Sequence, residues 1–414
     1  MQTRRKLFYV FVLLFVLTAP LALLYTAGYR WFPESGLSKT GTLLLATTPR
    51  GATISVDGRE RRDRSPSIVK WIRPGEHVVR MELEDHAPWE KTITVKSGET
   101  SFAEAVVLFS SDALMLAVPH AFVSAALSPN GRRLSWITTE NGWTEVWVTD
   151  DKGLRARLAY RTVENNALVH AWSDDDHLII RNASELLVQI DTRTNTTNTV
   201  TTTVTLTQED TATVVRATSG NEIARLPKGE YMVVDERNTH TLLEQPSQRR
   251  IVLINRSDMQ TPLHLVESAL SYEWIGPQTL LYADAYAVQL YNTETLRSTT
   301  LTRLSQPLVA VHWTIRHPGY VFYATNTEVF AIEINGLGHR LTQSLGTLDA
   351  IEDIGTDESG RFLYVIGRNA LDAGLFSRPL FHRSSPDDES QKSPEINIEE
   401  RVYEIFQEDV FDLL

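Results

Sequence analysis

Val123-Ser124-Ala125-Ala126-Leu127-Ser128-Pro129-Asn130-Gly131-Arg132-Arg133-Leu134-Ser135-Trp136, followed by Val146-Trp147-Val148-Thr149-Asp150, is the stretch that decides the fold. It reads as a short apolar strand, a turn of small and polar residues, a second strand, and a third ending on an acid. The layout recurs. Val169-His170-Ala171-Trp172-Ser173-Asp174-Asp175-Asp176-His177-Leu178-Ile179-Ile180 leads to Leu187-Val188-Gln189-Ile190-Asp191, and Tyr272-Glu273-Trp274-Ile275-Gly276-Pro277 leads through Leu280 to Val288-Gln289-Leu290-Tyr291-Asn292. Ala310-Val311-His312-Trp313 with the turn His317-Pro318-Gly319 gives a fourth copy, and Ile351-Glu352-Asp353-Ile354 with Asp357-Glu358-Ser359-Gly360 a fifth. Leu127, Trp172, Trp274, Trp313 and Ile354 align with steps of 45, 102, 39 and 41. The step of 102 is about two repeats, so a degenerate unit is expected near 210–257, built from Ile223-Ala224-Arg225-Leu226, Tyr231-Met232-Val233-Val234-Asp235 and Ile251-Val252-Leu253-Ile254.

A period of about 40–45 residues made of four short strands is the pattern of a β-propeller blade. One four-stranded sheet cannot bury both faces alone, whereas sheets stacked around an axis bury them in series. Residues 110–382 are therefore expected to hold about six blades, within a range of five to seven. The turn Ser128-Pro129-Asn130-Gly131 with Arg132 and Arg133 resembles the Ser-Pro-Asp-Gly-Lys turn of TolB-type, WD40-like propeller repeats. Trp172-Ser173-Asp174-Asp175-Asp176 is a weaker version, so the resemblance implies a fold and no chemistry. Ten of the sixteen residues from Thr192 to Thr207 are Thr, a β-branched type that favours extended chain, and outer or edge strands with a loop are expected there.

Upstream, the periodicity is also two, in a smaller unit over 41–108. Leu43-Leu44-Leu45-Ala46-Thr47, Thr53-Ile54-Ser55-Val56, Ser67-Ile68-Val69, His77 to Leu83, Thr92-Ile93-Thr94-Val95 and Phe102 to Leu108 read as strands separated by turns. Asp57-Gly58 suits a hairpin turn because both positions tolerate positive φ. The expectation is a small antiparallel β-sandwich. Gly41-Thr42-Leu43, Pro49-Arg50-Gly51-Ala52, Ile54, Val56-Asp57-Gly58, Ser65-Pro66 and Pro74-Gly75-Glu76-His77 resemble the PEGA domain, a β-sandwich of surface-exposed prokaryotic proteins. Arg50 stands where that motif has Glu, and His86-Ala87-Pro88-Trp89 replaces its Gly-Tyr turn. The resemblance implies an accessory or adhesive module without catalytic residues. The run Arg59-Glu60-Arg61-Arg62-Asp63-Arg64 reads as a solvated, mixed-charge hairpin loop, or as a contact for anionic lipid headgroups or wall polymer.

At the amino end, Arg4, Arg5 and Lys6 precede a stretch with no charge before Arg30 that begins at Leu7 and runs through Leu24. As a helix it spans roughly 35 Å, enough for a hydrocarbon core of about 30 Å. The basic flank puts residues 1–6 in the cytoplasm, 7–29 in the membrane and everything after a juxtamembrane linker, 30–40, outside; Tyr29, Trp31 and Phe32 suit the outer interface. A cleaved secretory signal is the competing reading, with Thr26-Ala27-Gly28 as its best but poor cleavage site.

At the carboxyl end, 383–394 reads as an acidic linker, and Ile398, Val402, Ile405, Phe406, Val410, Phe411 and Leu414 recur at helical spacing among acids. This short amphipathic helix is expected either to dock onto a partner or to pack on the propeller. The fold class is thus all-β with one helix at each end.

Composition removes whole classes of chemistry. The 414 residues include no Cys, which excludes disulfides, Cys-ligated zinc, iron–sulfur clusters and thiol catalysis. Acids outnumber bases, 52 to 40, giving a net charge of −12 that argues against nucleic acid as a partner. There is no His-Glu-x-x-His, no Gly-x-Ser-x-Gly and no phosphate-cradling Gly loop. Ser67-Ile68-Val69-Lys70 matches Ser-x-x-Lys by chance, Asp174-Asp175-Asp176 is expected to be a solvated turn before a calcium loop, and His170 and His312 are expected to pack. No cofactor, metal or catalytic residue is expected. The reading is a membrane-tethered envelope protein whose propeller holds a wall polymer, a surface layer or an envelope protein, with a glycan lyase or hydrolase in the propeller funnel as the alternative.

Overall fold

A computed structural model describes residues 2–382 apart from short stretches within 34–35, 120–123, 129–130, 141, 150–155, 164–168, 173–174, 182–186, 195, 200–203, 238, 257–263, 336–338 and 358. Pro129, Asn130 and the whole tail, 383–414, lie outside the described residues. The chain divides into two compact units, the first centred on Met1–Ser111 and the second on Asp112–Asn335 with Thr342–Leu380.

The first unit opens with the helix Gln2–Thr26. Within it Leu7–Thr26 is uniformly apolar and, among the described residues, is the one helix long and apolar enough to cross a membrane. It starts earlier and stops earlier than the expected 7–29. The stretch expected as a linker, 30–40, is instead a hairpin: Tyr29–Phe32 pairs antiparallel with Gly36–Lys39, so Trp31 stands on a strand. Aromatic residues on the first strand and a left-handed Gly36 (φ +72°) at the return favour pairing over open chain.

Two sheets then face each other. Gly41–Thr48 lies between Ser67–Ile72 and Thr100–Val107 in one; Arg59–Arg64, Thr53–Val56, Gly75–Glu82 and Trp89–Val95 follow in that order in the other. Strict alternation of buried and half-exposed positions along Gly41–Thr48 and Trp89–Val95 turns one face of each sheet inward. Leu43, Leu45, Ile54, Val56, Val79, Met81, Trp89 and Ile93 form one shared core. Two details correct the sequence reading. Gly41–Thr48 runs parallel to Thr100–Val107, so the sandwich is not wholly antiparallel. Arg59–Arg64 is a strand and not a loop, because Asp57 (φ +53°) and Gly58 (φ +72°) make the two-residue turn that sets Arg59 directly across from Val56.

The second unit contains, among the described residues, seven antiparallel sheets in chain order. Their first strands begin at 124, 169, 204, 232, 271, 308 and 350. The first strands of the first and second, the fifth and sixth, and the sixth and seventh sheets touch, and Ala350–Thr356 of the seventh sheet touches Ser124–Leu127 of the first, which closes the ring with these strands on its inner side. The outermost place in the seventh sheet is taken by Met115–Pro119 from the start of the unit, paired with Ala373–Pro379. This is a β-propeller. The sheet count stands at the top of the expected range, because the interval from Trp172 to Trp274 holds two sheets where one degenerate unit was expected. Among the described residues the first of the two has only three strands and begins just 28 residues before the second, well short of the 40-residue period, while the second ends on the three-residue strand His264–Val266. The Thr-rich run supplies the outer strand Thr196–Thr199 and the edge strand Val204–Gln208.

Candidate functional site

Three strongly perturbed acids and bases of the second unit stand on its innermost strands. Glu273, His312 and Asp353 each stand one residue before an aligned position (Trp274, Trp313, Ile354), so they occupy the same place on three successive sheets. Each reaches forward. Glu273 accepts a hydrogen bond from the backbone N–H of Trp313 at 3.1 Å, and His312 Nε2 lies 3.0 Å from Thr356 Oγ1. Asp353 accepts from the N–H of Leu127 at 3.3 Å, across the closure of the ring, and from that of Ile354 at 2.8 Å. In the first sheet the corresponding residue is Ala126, and there the bond is made by backbone: its carbonyl accepts from Trp172 Nε1 at 3.2 Å.

Burial dominates the electrostatics of this column. It pushes the Glu273 carboxyl up to about 8, against the weaker pull of the Trp313 N–H. It pushes Asp353 up to about 6 despite two N–H donors, and holds His312 down at about 4. At neutral pH, Glu273 is thus mostly protonated, His312 neutral and Asp353 mostly ionised. The column can hold and exchange protons, but each member already bonds to the next sheet.

A second series of contacts runs through the turns that follow the inner strands. Ser128 Oγ accepts from the Arg133 N–H, and the Gly131 N–H donates to the Ser128 carbonyl. Gly131 (φ +64°) presses on the Thr356 carbonyl, only 1.7 Å from where a Cβ would stand. In the seventh sheet, Asp357 plays the part of Ser128, accepting from the Arg361 and Phe362 N–H groups at 2.6 Å. There the Gly360 carbonyl accepts from His317 Nε2 of the sixth sheet at 2.5 Å. Arg133 crosses to the second sheet, donating to the Asp175 carbonyl at 2.8 Å and pairing with Asp176. That pairing holds the Asp176 carboxyl below its usual range, with Arg193 adding a second cation at 3.4 Å.

Other predicted positions fall in separate places. Arg4, Arg5, Lys6, Leu7 and Leu24 are in the helix. Pro49, Gly51, Ala52 and Pro74 sit between sandwich strands and Gly75 opens one, paired with Val95; the Gly51 N–H donates to the Ser65 carbonyl and Ala52 is fully buried. Asp57 does more than turn the chain: its carboxylate accepts from the Val78 N–H and faces His77 Nδ1 at 2.7 Å. No group of three or more His, Cys, Asp or Glu among the described residues is arranged to hold a metal ion. Sequence reasoning singles out His312 and misses Glu273 and Asp353. The signal for them is the offset of one residue before Trp274, Trp313 and Ile354 that they share with His312.

The profile of the PEGA domain family matches residues 40–105. No curated protein matches the chain. Among solved structures, the mitotic checkpoint complex aligns with 65% of this chain and 92% of its own at 11% identity and a TM-score of 0.44. The WD40 β-propeller domain of Doa1 aligns over 66% and 99% at 10% identity and 0.41, and Kuenenia stuttgartiensis hydrazine synthase over 64% and 97% at 10% identity and 0.40. Likeness at this level carries no functional weight. Residues 40–105 are a PEGA domain, set in the chain between an apolar helix and a β-propeller.

Proposed function

We propose that this is a membrane-anchored, extracytoplasmic binding or scaffold protein of a prokaryotic cell envelope, its propeller presenting a surface to a wall polymer, surface layer or envelope protein. The observation that carries the reading is the column Glu273, His312 and Asp353: each titratable side chain is engaged in joining one sheet to the next. A rigid ring built this way suits holding a partner. The apolar helix ahead of a PEGA domain supplies the tether. Because the chain has no native Cys, single Cys reporters map its topology cleanly. Ser219→Cys is expected to react with a membrane-impermeant maleimide in intact cells, and Thr3→Cys only after permeabilisation. The reverse pattern would overturn the orientation, and a mature protein beginning after Ala27 would replace the anchor with a cleaved signal.

A second reading has one observation in its favour. A carboxyl raised to about 8 and another raised to about 6 on the inner strands are suited to acid and base roles in a glycan lyase or hydrolase. Release of reducing ends or unsaturated products from purified envelope polysaccharide, abolished by Glu273→Gln, would establish it.

A further inference from the structure

The side of the sandwich nearest the helix exit has a feature that its core packing does not require. Ser67–Ile72 is the edge strand of its sheet, and its ladder pairs Gly41 with Ile72 and Thr42 with Lys70, skipping Trp71. Trp71 is a β-bulge in the left-handed region (φ +64°), a conformation that costs a residue with a Cβ about 1–2 kcal/mol. The bulge turns Trp71 out of the sheet beside Lys70, leaving it 57% exposed, and Ile68 on the same strand is 54% exposed. The Arg30 guanidinium, from the hairpin after the helix, stacks 4.9 Å from the centre of the Trp71 ring and 3.8 Å from that of Tyr25 in the last helical turn. Arg30 Nη1 also donates to the Tyr25 carbonyl at 2.9 Å. Tyr25, Arg30 and Trp71 therefore stand at one level, the end of the apolar helix, with Trp31 nearby in sequence and 74% exposed.

Charge continues the same side. Arg59–Arg64 is the edge strand of the facing sheet and runs directly through Ser65-Pro66 into Ser67–Ile72, so the two edges adjoin. Residues 59–73 contain six bases and two acids in a chain of net charge −12. Arg59 and Arg62 are exposed and form no ion pair among the described residues.

We infer that this double edge is a lipid-facing surface: the PEGA domain lies against the leaflet from which the helix emerges, with Trp71, Ile68 and Trp31 at the headgroup–acyl boundary and Arg59, Arg62 and Lys70 on anionic phospholipid headgroups. The inference rests on the helix spanning the bilayer. Aromatic side chains with a polar edge partition to that boundary, and basic side chains near an anionic surface gain about 1 kcal/mol each. Continuity with the helix and complementary charge single out lipid over protein as the occupant. The bulge has a reason on this account, since an unstrained strand would not project two successive side chains, Lys70 and Trp71, to the same side.

The test uses the full chain in vesicles of phosphatidylglycerol and phosphatidylcholine, floated on a density gradient and washed with carbonate. The emission lost in Trp71→Phe reports on Trp71. It is expected to be blue-shifted, quenched by lipids brominated near the carbonyls and protected from aqueous iodide. That bromine quenching is expected to be lost in the triple variant R59Q/R62Q/K70Q. Floated protein whose Trp71 is quenched by iodide and not by bromolipid overturns this inference alone. Equal bromine quenching in pure phosphatidylcholine overturns the anionic-lipid assignment. Failure to float overturns the anchor and the inference together.

Discussion

The sandwich and the propeller bury their apolar residues in different ways. In the sandwich a single core draws on both sheets, from Leu43 and Leu45 to Met81 and Trp89. In the propeller the core is divided into clusters, most of them shared by two neighbouring sheets: Val146 with Ile180, Val215 with Leu243, Leu253 with Leu280, Leu290 with Val321, and Leu134 with Ile366. A shared core makes every strand depend on the register of every other, so the turns that set register are constrained. A divided core asks only that each sheet fit its two neighbours, and sequence drifts freely as long as the fit survives. The propeller compensates with polar contacts that bind sheet to sheet at a fixed level of the ring.

Gly131→Ala is the strongest way to break that arrangement. The new Cβ would stand 1.7 Å from the Thr356 carbonyl oxygen, with backbone on both sides and φ at +64°. Neither side can yield without opening the contact between the first and seventh sheets, so a loss of about 3 kcal/mol or more is expected. Urea unfolding of the full chain in detergent should show the propeller midpoint falling while the sandwich transition stays in place. Leu45→Ala should do the converse. It removes a fully buried side chain from the undivided core and is expected to cost about 2–5 kcal/mol of sandwich stability, with the propeller midpoint unmoved. Coupled loss of both transitions in either variant would show that the two units do not fold independently.

Legibility followed the same division. Asp57-Gly58 announced its turn because two adjacent residues tolerant of positive φ have few other uses, and the strands on either side fell where alternation put them. The charge of Arg59–Arg64 points rightly to solvent but says nothing of pairing, which the two-residue turn before it imposes. In the propeller, strand, turn and strand were visible wherever Trp or a Ser-Pro-Asn-Gly type turn marked the frame. The units between 204 and 266 lack such marks, and one of them, with three strands among the described residues, shortens the period on which the count depends. The forward-reaching column was hidden for a different reason. Its members differ in charge and chemistry, and what they share is a position and a direction, which only the ring reveals.

Glu273→Gln sharpens the comparison through pH. A Glu whose carboxyl rises from 4.5 unfolded to about 8 folded gives stability that is present at low pH and lost as pH rises through 8. Asp353 behaves alike but is exhausted near pH 6, its folded value. His312, depressed from 6.5 to about 4, acts oppositely: its contribution is complete above 6.5 and is lost as pH falls toward 4. Between pH 6.5 and 8.5, Glu273 is therefore the dominant titrating member of the column. The propeller should lose no more than about 1.4 kcal/mol per pH unit across that window. Gln keeps an oxygen for the Trp313 N–H but cannot ionise, so the variant's midpoint should be flat where that of the native chain declines. The sandwich transition serves as the internal control. A decline of equal slope in the variant would remove Glu273 from the account.

The smallest effect is expected at a glycine that looks equivalent to Gly131 by backbone alone. Gly58 also lies in the left-handed region, at φ +72°, but nothing comes within 4 Å of where its Cβ would stand. Its requirement is therefore conformational and not steric. Ala there should cost only the left-handed penalty of about 1–2 kcal/mol, and Asn, which tolerates that region, still less. At Gly131, Asn should be as damaging as Ala, since tolerance of φ does nothing for a backbone oxygen already in the way. Midpoints for the four variants separate the two causes. If Asn rescued position 131 but not position 58, register in the propeller would depend on turn conformation and register in the sandwich on close packing, the opposite of what the divided and undivided cores imply.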